Sequence, residues 1–414
     1  MSPTKITTTD QFKLIHLTDQ EIIDFTRYQN SLAWKGPLTE KDYVLRDNVL
    51  SKSKVASSGN NGLYVFMMKS AYDDEPLCSI EMLVRESLKF EYTKDGQVKE
   101  TNILSGCIGG VFTPPKQRGK GYARIMVDKL VQLAKRDIVG PDGFMFLYSE
   151  IGEYYAKNGF KSFPVDLINI PRKGISQIEL PKSTIDYELI EYHQFKQLMD
   201  EYRSHFEQDM KTKVNEDHKT RVSINPTSDV IDWFHLRAKF ITYKLFHEQK
   251  GHFVDFESGY ETIKDGLIHE PKIFGLKLKS GDKVTGFIIW TIDWEIESGK
   301  EEEKEEQETN YATILKCVAF DNDEETRDKI AIELINLAIY QFIHHPVLGK
   351  PTTNVKLWES EITPSVKQHL VGKWGAEVGE NSSRSAILMN DPVDDEKLRN
   401  GELIWEENTK LPWF

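Results

Sequence analysis

The sequence predicts a mixed α/β protein built as two sheet-and-helix domains in tandem. Three observations predict this. At 414 residues the chain is longer than one hydrophobic core usually organises. Apolar runs with strand spacing alternate with stretches of helical spacing, the order of a mixed sheet with helices between its strands. That order, strands leading into a helix and then another strand, recurs in the second half.

The elements follow in turn. FKLIHL reads as a short strand, and DQEIIDFTRYQNSLAW after it as a helix capped by Asp19. EKDYVLRDNVLSK predicts a second helix. GLYVFMM and EPLCSIEMLVRESL read as successive strands, followed by a polar turn at KDGQ and the strand ILSGCIGGVF. A glycine-rich turn then opens the helix ARIMVDKLVQLAKR, with a short apolar strand, FMFLY, and another helix around EYYAKNGF beyond it. The turn-forming stretch RKGISQIELPKSTIDYELI places a boundary near residue 180, dividing the chain into domains 1–180 and 181–414.

The second domain starts with helices around YHQFKQLMDEYRSHF and DVIDWFHLRAKFITYKLF. The strands KIFGLKL, VTGFIIWTIDW and YATILKCVAF come next, then the helix TRDKIAIELINLAIYQFI and the strand NVKLWES. Seven of the eight tryptophans lie from Trp233 onward, which predicts a large aromatic core there.

Charge and composition exclude several functions. A net charge of -13 argues against a general nucleic-acid binder, which needs basic surface to neutralise phosphate. No apolar run approaches membrane-spanning length, so no membrane partner is expected. Cys78, Cys107 and Cys317 are scattered without disulfide or metal-ligand spacing, and no metal is expected. A reducing, intracellular compartment fits best, cytoplasmic with a nuclear fraction left open. The sequence does not fix an oligomeric state. The run from Glu295 to Thr309 holds eight acids and two lysines and reads as a solvated loop, with a docking patch for a basic partner as the sharper alternative.

The chemistry concentrates at PPKQRGKGYARIMVDKL, Pro114 to Leu130. A glycine-rich turn into a helix exposes backbone N–H groups that lack intrahelical partners, and the helix dipole adds to their pull on an anion. Arg118, Lys120 and Arg124 supply positive charge, while Gly119 and Gly121 let a ligand approach the backbone. The residues fit neither the P-loop nor the dinucleotide-binding glycine pattern. A phosphate cradle is the physical reading, with a plain tight turn in a basic patch as its alternative.

Arg118-Gly119-Lys120-Gly121-Tyr122-Ala123 resembles the R/Q-x-x-G-x-G/A motif of the GNAT acetyltransferase superfamily. EYYAKNGF, Glu153 to Phe160, resembles that family's second signature, and the likeness spans roughly Phe12 to Pro171. The resemblance implies a GNAT fold and acetyl-CoA as co-substrate. It implies that backbone amides from Arg118 through Gly119, Lys120, Gly121 and Tyr122 to Ala123, with Arg124 beside them, hold the pyrophosphate. Ile108, Gly109, Gly110 and Val111 would lie nearest the thioester. Tyr155 matches the tyrosine that protonates the departing thiolate, and Asn158 and Phe160 read as structural.

Acetyl transfer to an amine also needs a proton acceptor. Relatives with an acid on the strand before the turn have no counterpart in SGCIGGVF. Glu81 and Glu150 are the candidates, each also readable as a solvated or capping carboxylate. Cys107 is read as a buried strand cysteine rather than a nucleophile.

SLAWKGPLT, FLYSEIGEYYAKNGF and the tryptophan-rich second half resemble the fungal lysine N6-acetyltransferases, which implies a small amine, the ε-amine of free L-lysine, as acceptor. Trp34 is the candidate acceptor contact. The alternatives are a protein or peptide N-acetyltransferase and a non-catalytic acetyl-CoA-binding protein. The matching turn in the second half, FDNDEETRDK, is acidic, so that domain reads as a degenerate GNAT-like unit walling the acceptor cleft. The terminal carboxylate of Phe414 is a further candidate base.

Overall fold

The computed structural model describes residues 11–72, 75–175, 185–297 and 307–413. Strands β1 (Phe12–Leu17), β2 (Gly62–Ser70), β3 (Pro76–Tyr92), β4 (Val98–Phe112), β5 (Phe144–Ser149) and β6 (Lys161–Phe163) lie in a first sheet. β7 (Asp166–Pro171) and β8 (Tyr187–Glu191) lie in a second, and β9 (Thr220–Ile224) returns to the first. β10 (Ile273–Ser280), β11 (Lys283–Glu297), β12 (Gln307–Ala319), β13 (Thr352–Trp358) and β14 (Glu377–Glu380) belong to the second sheet. β15 (Arg384–Met389) and β16 (Leu403–Trp405) belong to the first.

The first sheet runs β1-β2-β3-β4-β5-β15-β6, with β9 on the far half of β3 and β16 on β9. The second runs β14-β7-β13-β12-β11-β10-β8. Both contain an antiparallel meander followed by a parallel pair, β4/β5 in one and β12/β13 in the other. A helix makes each crossover: Tyr122–Leu133 in the first half and Glu324–His344 in the second. The repeat expected from the sequence is therefore present as topology, and the fold is the mixed α/β arrangement that the GNAT resemblance implied.

Sheet membership crosses residue 180 in both directions. The strand beside the parallel pair of the first sheet, β15, comes from the end of the chain. The strand beside the parallel pair of the second, β7, comes from the first half. Each half completes the other's sheet.

Alternation along β5 shows how the cores divide. Met145 and Leu147 face the helix Tyr122–Leu133, which buries Met126, Val127 and Leu130 at i, i+1 and i+4. Phe144 and Phe146 face the opposite core, shared with Phe206, Phe240 and Trp405 of the second half. Burial of each large apolar side chain contributes roughly 1.5–3 kcal/mol. The later tryptophans mostly serve these cores: Trp290, Trp294, Trp358, Trp374 and Trp405 are buried.

Two helix expectations are corrected. The stretch around EYYAKNGF forms only a five-residue 3-10 turn, Tyr154–Asn158, halted by Gly159 in the left-handed region at φ 94°. The helix expected to begin at YHQF starts at Lys196, because His193 takes a φ of 81° just before it, and it runs on to Asp217. Among the described residues no helix is long and apolar enough to cross a membrane.

Candidate active site

The parallel pairing of β4 and β5 runs from Ser105–Phe144 to Ile108–Leu147 and stops there. β4 continues to Phe112 against β3, with a bulge: Ser79–Glu81 on β3 faces Gly109–Phe112 on β4. Gly110 holds the bulge at φ 56°, and a Cβ there would lie 3.2 Å from Asn30 Nδ2 and 3.4 Å from Glu81 Cγ. A side chain at this position is disfavoured by backbone strain and would press on Asn30.

The two strands thus part, and a cavity of about 390 Å³ opens at the fork. Its volume lies at the small end of the range for ligand sites, roughly 300–1,000 Å³. Ile108, Gly109, Gly110 and Val111 line one side, and Leu147 to Ile151 with Tyr155 line the other.

Beyond the fork lies the glycine-rich turn. Gly119 and Gly121 take φ values of 77° and 80°, and a Cβ on either would point into open space. The helix Tyr122–Leu133 has Gly121 as its N-cap and no capping side chain, so its leading N–H groups are left for a ligand. The turn is braced from outside: Arg118 Nε donates to the Thr113 carbonyl at 2.9 Å, and Lys120 Nζ to Gln117 Oε1 at 2.8 Å. Arg118, Lys120 and Arg124 are exposed. An uncapped helix start, two open glycines and a strand fork leading to it fit a pyrophosphate with an extended arm, so the residues suit acetyl-CoA. In the second half the equivalent helix start is occupied, since the Asp323 carboxylate accepts from Thr326 N at 2.9 Å. An anion would be repelled there.

Tyr155 is buried on the 3-10 turn and lines the cavity. Asn158 of the same turn donates to the Arg124 carbonyl at 3.0 Å and to Asp128 at 2.7 Å, tying the turn to the cradle helix. Burial, with Tyr154 and Glu150 nearby, pushes the Tyr155 hydroxyl well above the usual phenol range. It keeps its proton at neutral pH.

The two candidate acids differ in setting. Glu81 is buried in the cavity wall on β3, opposite Gly109, and accepts from Arg27 Nε at 3.1 Å. Burial raises its carboxyl above the ordinary range, and Arg27 pulls only partly the other way. Glu150 also borders the cavity but is exposed. Trp34 lines the cavity half-buried, its ring edge-on to Phe112 at 6.3 Å. Cys107 is buried, its thiol pushed up to about 12 by burial, which suits a packing role. Phe414 lies outside the described residues, as does most of the acidic run from Glu295 to Thr309.

Several cavity residues have no counterpart among the sequence candidates. Asn30 stands one helical turn beyond Arg27 and one before Trp34, on the same face. Tyr43, Arg46, Asp47 and Leu50 form the inward stripe of the helix Glu40–Ser51. Arg46 pairs with Asp47 at 2.7 Å and stacks on Tyr43 at 4.2 Å. Trp233 and Arg237, at i and i+4 on the helix Ser228–Phe246, come from the second half, as do Lys410 and Trp413. Helical spacing of polar residues inside otherwise inward-facing stripes was the signal that could have found them.

Away from the cavity, His247, His252 and His269 bring one ring nitrogen each within 4.8 Å of the others. They do not line the fork. Their imidazoles are the type of ligand a divalent transition metal takes.

The LYC1 GNAT-like C-terminal domain family matches residues 176–414. The chain is 24% identical over 433 residues to the uncharacterized protein YGR111W of Saccharomyces cerevisiae, covering 96% of each. It is 30% identical over 169 residues to a lysine acetyltransferase of Yarrowia lipolytica, covering 36% of this chain and 40% of that one. In fold it is similar to a probable N-acyltransferase of Enterococcus faecalis, with TM-score 0.50, 11% identity, and 93% and 73% of the two chains covered. A GCN5-related N-acetyltransferase of Anabaena variabilis gives TM-score 0.50 and 13% identity, covering 93% and 74%. With the forked strands and the cradle in the first half and the matched domain filling the second, the chain belongs to the GNAT N-acetyltransferase family, in its LYC1-like branch.

Proposed function

We propose that the chain transfers the acetyl group of acetyl-CoA to a small amine, the ε-amine of free L-lysine. One observation carries this reading: the cavity at the fork is small, about 390 Å³, and its outer wall is built by Trp233, Arg237, Lys410 and Trp413 of the second half. A chamber of that size suits one amino acid better than a polypeptide. The partial likeness to a protein named lysine acetyltransferase supports the same acceptor.

The residues divide the work as follows. The amides of the Arg118–Ala123 turn, with Lys120 and Arg124 adding positive charge, would hold the pyrophosphate. Gly109 and Gly110 would admit the arm to the unpaired edge of β4. When bound, acetyl-CoA supplies an activated thioester carbonyl that the amine attacks, a C–N bond replacing the C–S bond. Glu81, whose carboxyl titrates above the usual range, would receive the proton lost by the amine. Glu150, open to solvent, is the alternative proton acceptor through water. Tyr155 keeps its proton and would donate it to the departing sulfur. Proximity in the chamber supplies much of the remaining rate.

Release of CoA from acetyl-CoA, measured against free amino acids, polyamines and basic peptides, tests the proposal. Saturable release with L-lysine and none with peptides is the expected result. Release with peptides alone would move the activity to protein modification, and acetyl-CoA binding without release on any acceptor would leave a binding protein.

A further inference from the structure

The cavity has a cationic wall that acetyl transfer itself does not use. Arg237 projects from the helix Ser228–Phe246, and its Nε is buried without a hydrogen-bond partner. A guanidinium nitrogen in that state is costly unless a ligand completes it. Lys410 stands on the same wall, its ammonium 3.7 Å from the centre of the Trp413 ring and 5.8 Å from that of Phe234. Two like charges converge here in a protein of net charge -13, where acids are plentiful. Of the acids lining the chamber, Glu81 is held by Arg27, Asp47 by Arg46, and Glu150 is exposed; Asp293, which does not line it, pulls on Lys410 from outside the chamber. Asn30, beside Gly110, leaves its carbonyl oxygen buried and unpartnered, ready to accept from an amine.

We propose that Arg237 and Lys410 form a carboxylate-binding subsite, so that the acceptor is an amine carrying a free carboxylate at its far end. This rests on the acetyl-transfer reading of the same cavity. A guanidinium and an ammonium side by side match a carboxylate, the guanidinium through paired N–H donors and the ammonium as a point charge. The aromatic rings of Trp34, Trp233 and Trp413 would flank the aliphatic stem between the two ends. The subsite selects against three classes of amine at once: polyamines lack the anion, amino-acid amides have it neutralised, and a lysine within a peptide has it tied up in the chain.

Competition among L-lysine, cadaverine (lysine without its carboxylate) and lysinamide tests the subsite. The wild-type protein is expected to favour L-lysine over cadaverine by at least a hundredfold in kcat/KM. Arg237→Met and Lys410→Met should each reduce that ratio by tenfold or more, and Arg237→Lys should restore part of it. Thermal melting of each variant guards against loss of fold. Equal use of cadaverine and lysine by the wild type, or an unchanged ratio in both folded variants, would overturn the proposal. Titration with L-norleucine, which keeps the carboxylate and lacks the ε-amine, separates this from the reaction itself. If no amine is acetylated, the reaction reading fails while the subsite is still judged: norleucine binding abolished by Arg237→Met upholds it, and no norleucine binding by the wild type refutes it.

Discussion

Tyr148 on β5 and Trp413, the last described residue of the chain, stack with ring centroids 4.5 Å apart and planes within 2°. Tyr148 Oη also donates to the Thr409 carbonyl at 3.1 Å, and Arg85 of β3 donates to the Pro412 carbonyl. The terminal segment is thereby pinned across the fork of the first sheet, with Trp358 also stacked on Trp413 at 5.9 Å. Trp413→Ala should therefore lower stability by about 2 kcal/mol through lost aromatic contact. It should also weaken acceptor binding about tenfold while acetyl-CoA affinity stays near wild type. Melting curves and separate titrations of the two ligands check both parts.

Gly119 and Gly121 occupy the left-handed region over open space. Valine at either position pays backbone strain of roughly 1–3 kcal/mol and places a branched side chain on the proposed pyrophosphate face. Acetyl-CoA affinity should fall at least tenfold in Gly121→Val, and calorimetry with CoA measures it. Affinity equal to wild type would place the cradle elsewhere.

Tyr155→Phe removes the one polar atom of a side chain carried on the turn that Asn158 ties to the cradle helix. Turnover should fall about a hundredfold, within the usual range for a lost general acid, with acetyl-CoA affinity nearly unchanged. A loss of affinity instead would mark Tyr155 as structural.

Glu81→Gln has two consequences. It leaves the buried Arg27 guanidinium without its countercharge, costing about 3 kcal/mol of stability. It also removes the proposed proton acceptor. Because the folded-state pKa of Glu81 lies above its unfolded value, the folded protein holds this proton more tightly, so its contribution to stability declines as pH rises from the unfolded carboxylate pKa, about 4.3, through the raised one. Activity moves oppositely, rising as the carboxyl ionises. The acid limb of the kcat/KM profile should lie above the ordinary carboxylate range and vanish in the variant.

Lys410 gives a second pH dependence. Desolvation, then repulsion from Arg237 and Lys356, bring its ammonium down to about 7 against the opposing pull of Asp293. A bound carboxylate favours the charged form, so acceptor binding is accompanied by proton uptake. Norleucine affinity should be highest below pH 7 and fall by up to tenfold per pH unit above it. Lys410→Arg should flatten the curve.

Much of the first half's fold was legible because its motifs are local. Arg118 to Ala123 lie in one turn, Glu153 to Phe160 in another, and periodicity placed the strands that lead to them. Asp19 caps its helix as expected, accepting from the Glu21 and Ile22 amides. What escaped was non-local. Arg27 and Glu81 meet across 54 positions of sequence, and no pattern at either site announces the other. Arg237 and Lys410 converge only because two distant segments pack over the same fork. RSAILM is not among the predicted strands, and its place between β5 and β6 depends on pairing with FMFLYS and KSF, far earlier in the chain.

That reciprocal lending of strands has a consequence for biosynthesis. Until Arg384–Met389 has left the ribosome, the outer edge of β5 is bare, and β6 has no neighbour on which to form. The cradle and the strand fork are translated early, but the edge that steadies them arrives more than 230 residues later. A nascent chain cannot complete the proposed acetyl-CoA site halfway through synthesis, and a premature stop before residue 384 yields a protein open at the seam beside the candidate active site. Maturation of the enzyme thus waits on translation of Arg384–Met389, more than 230 residues after β5.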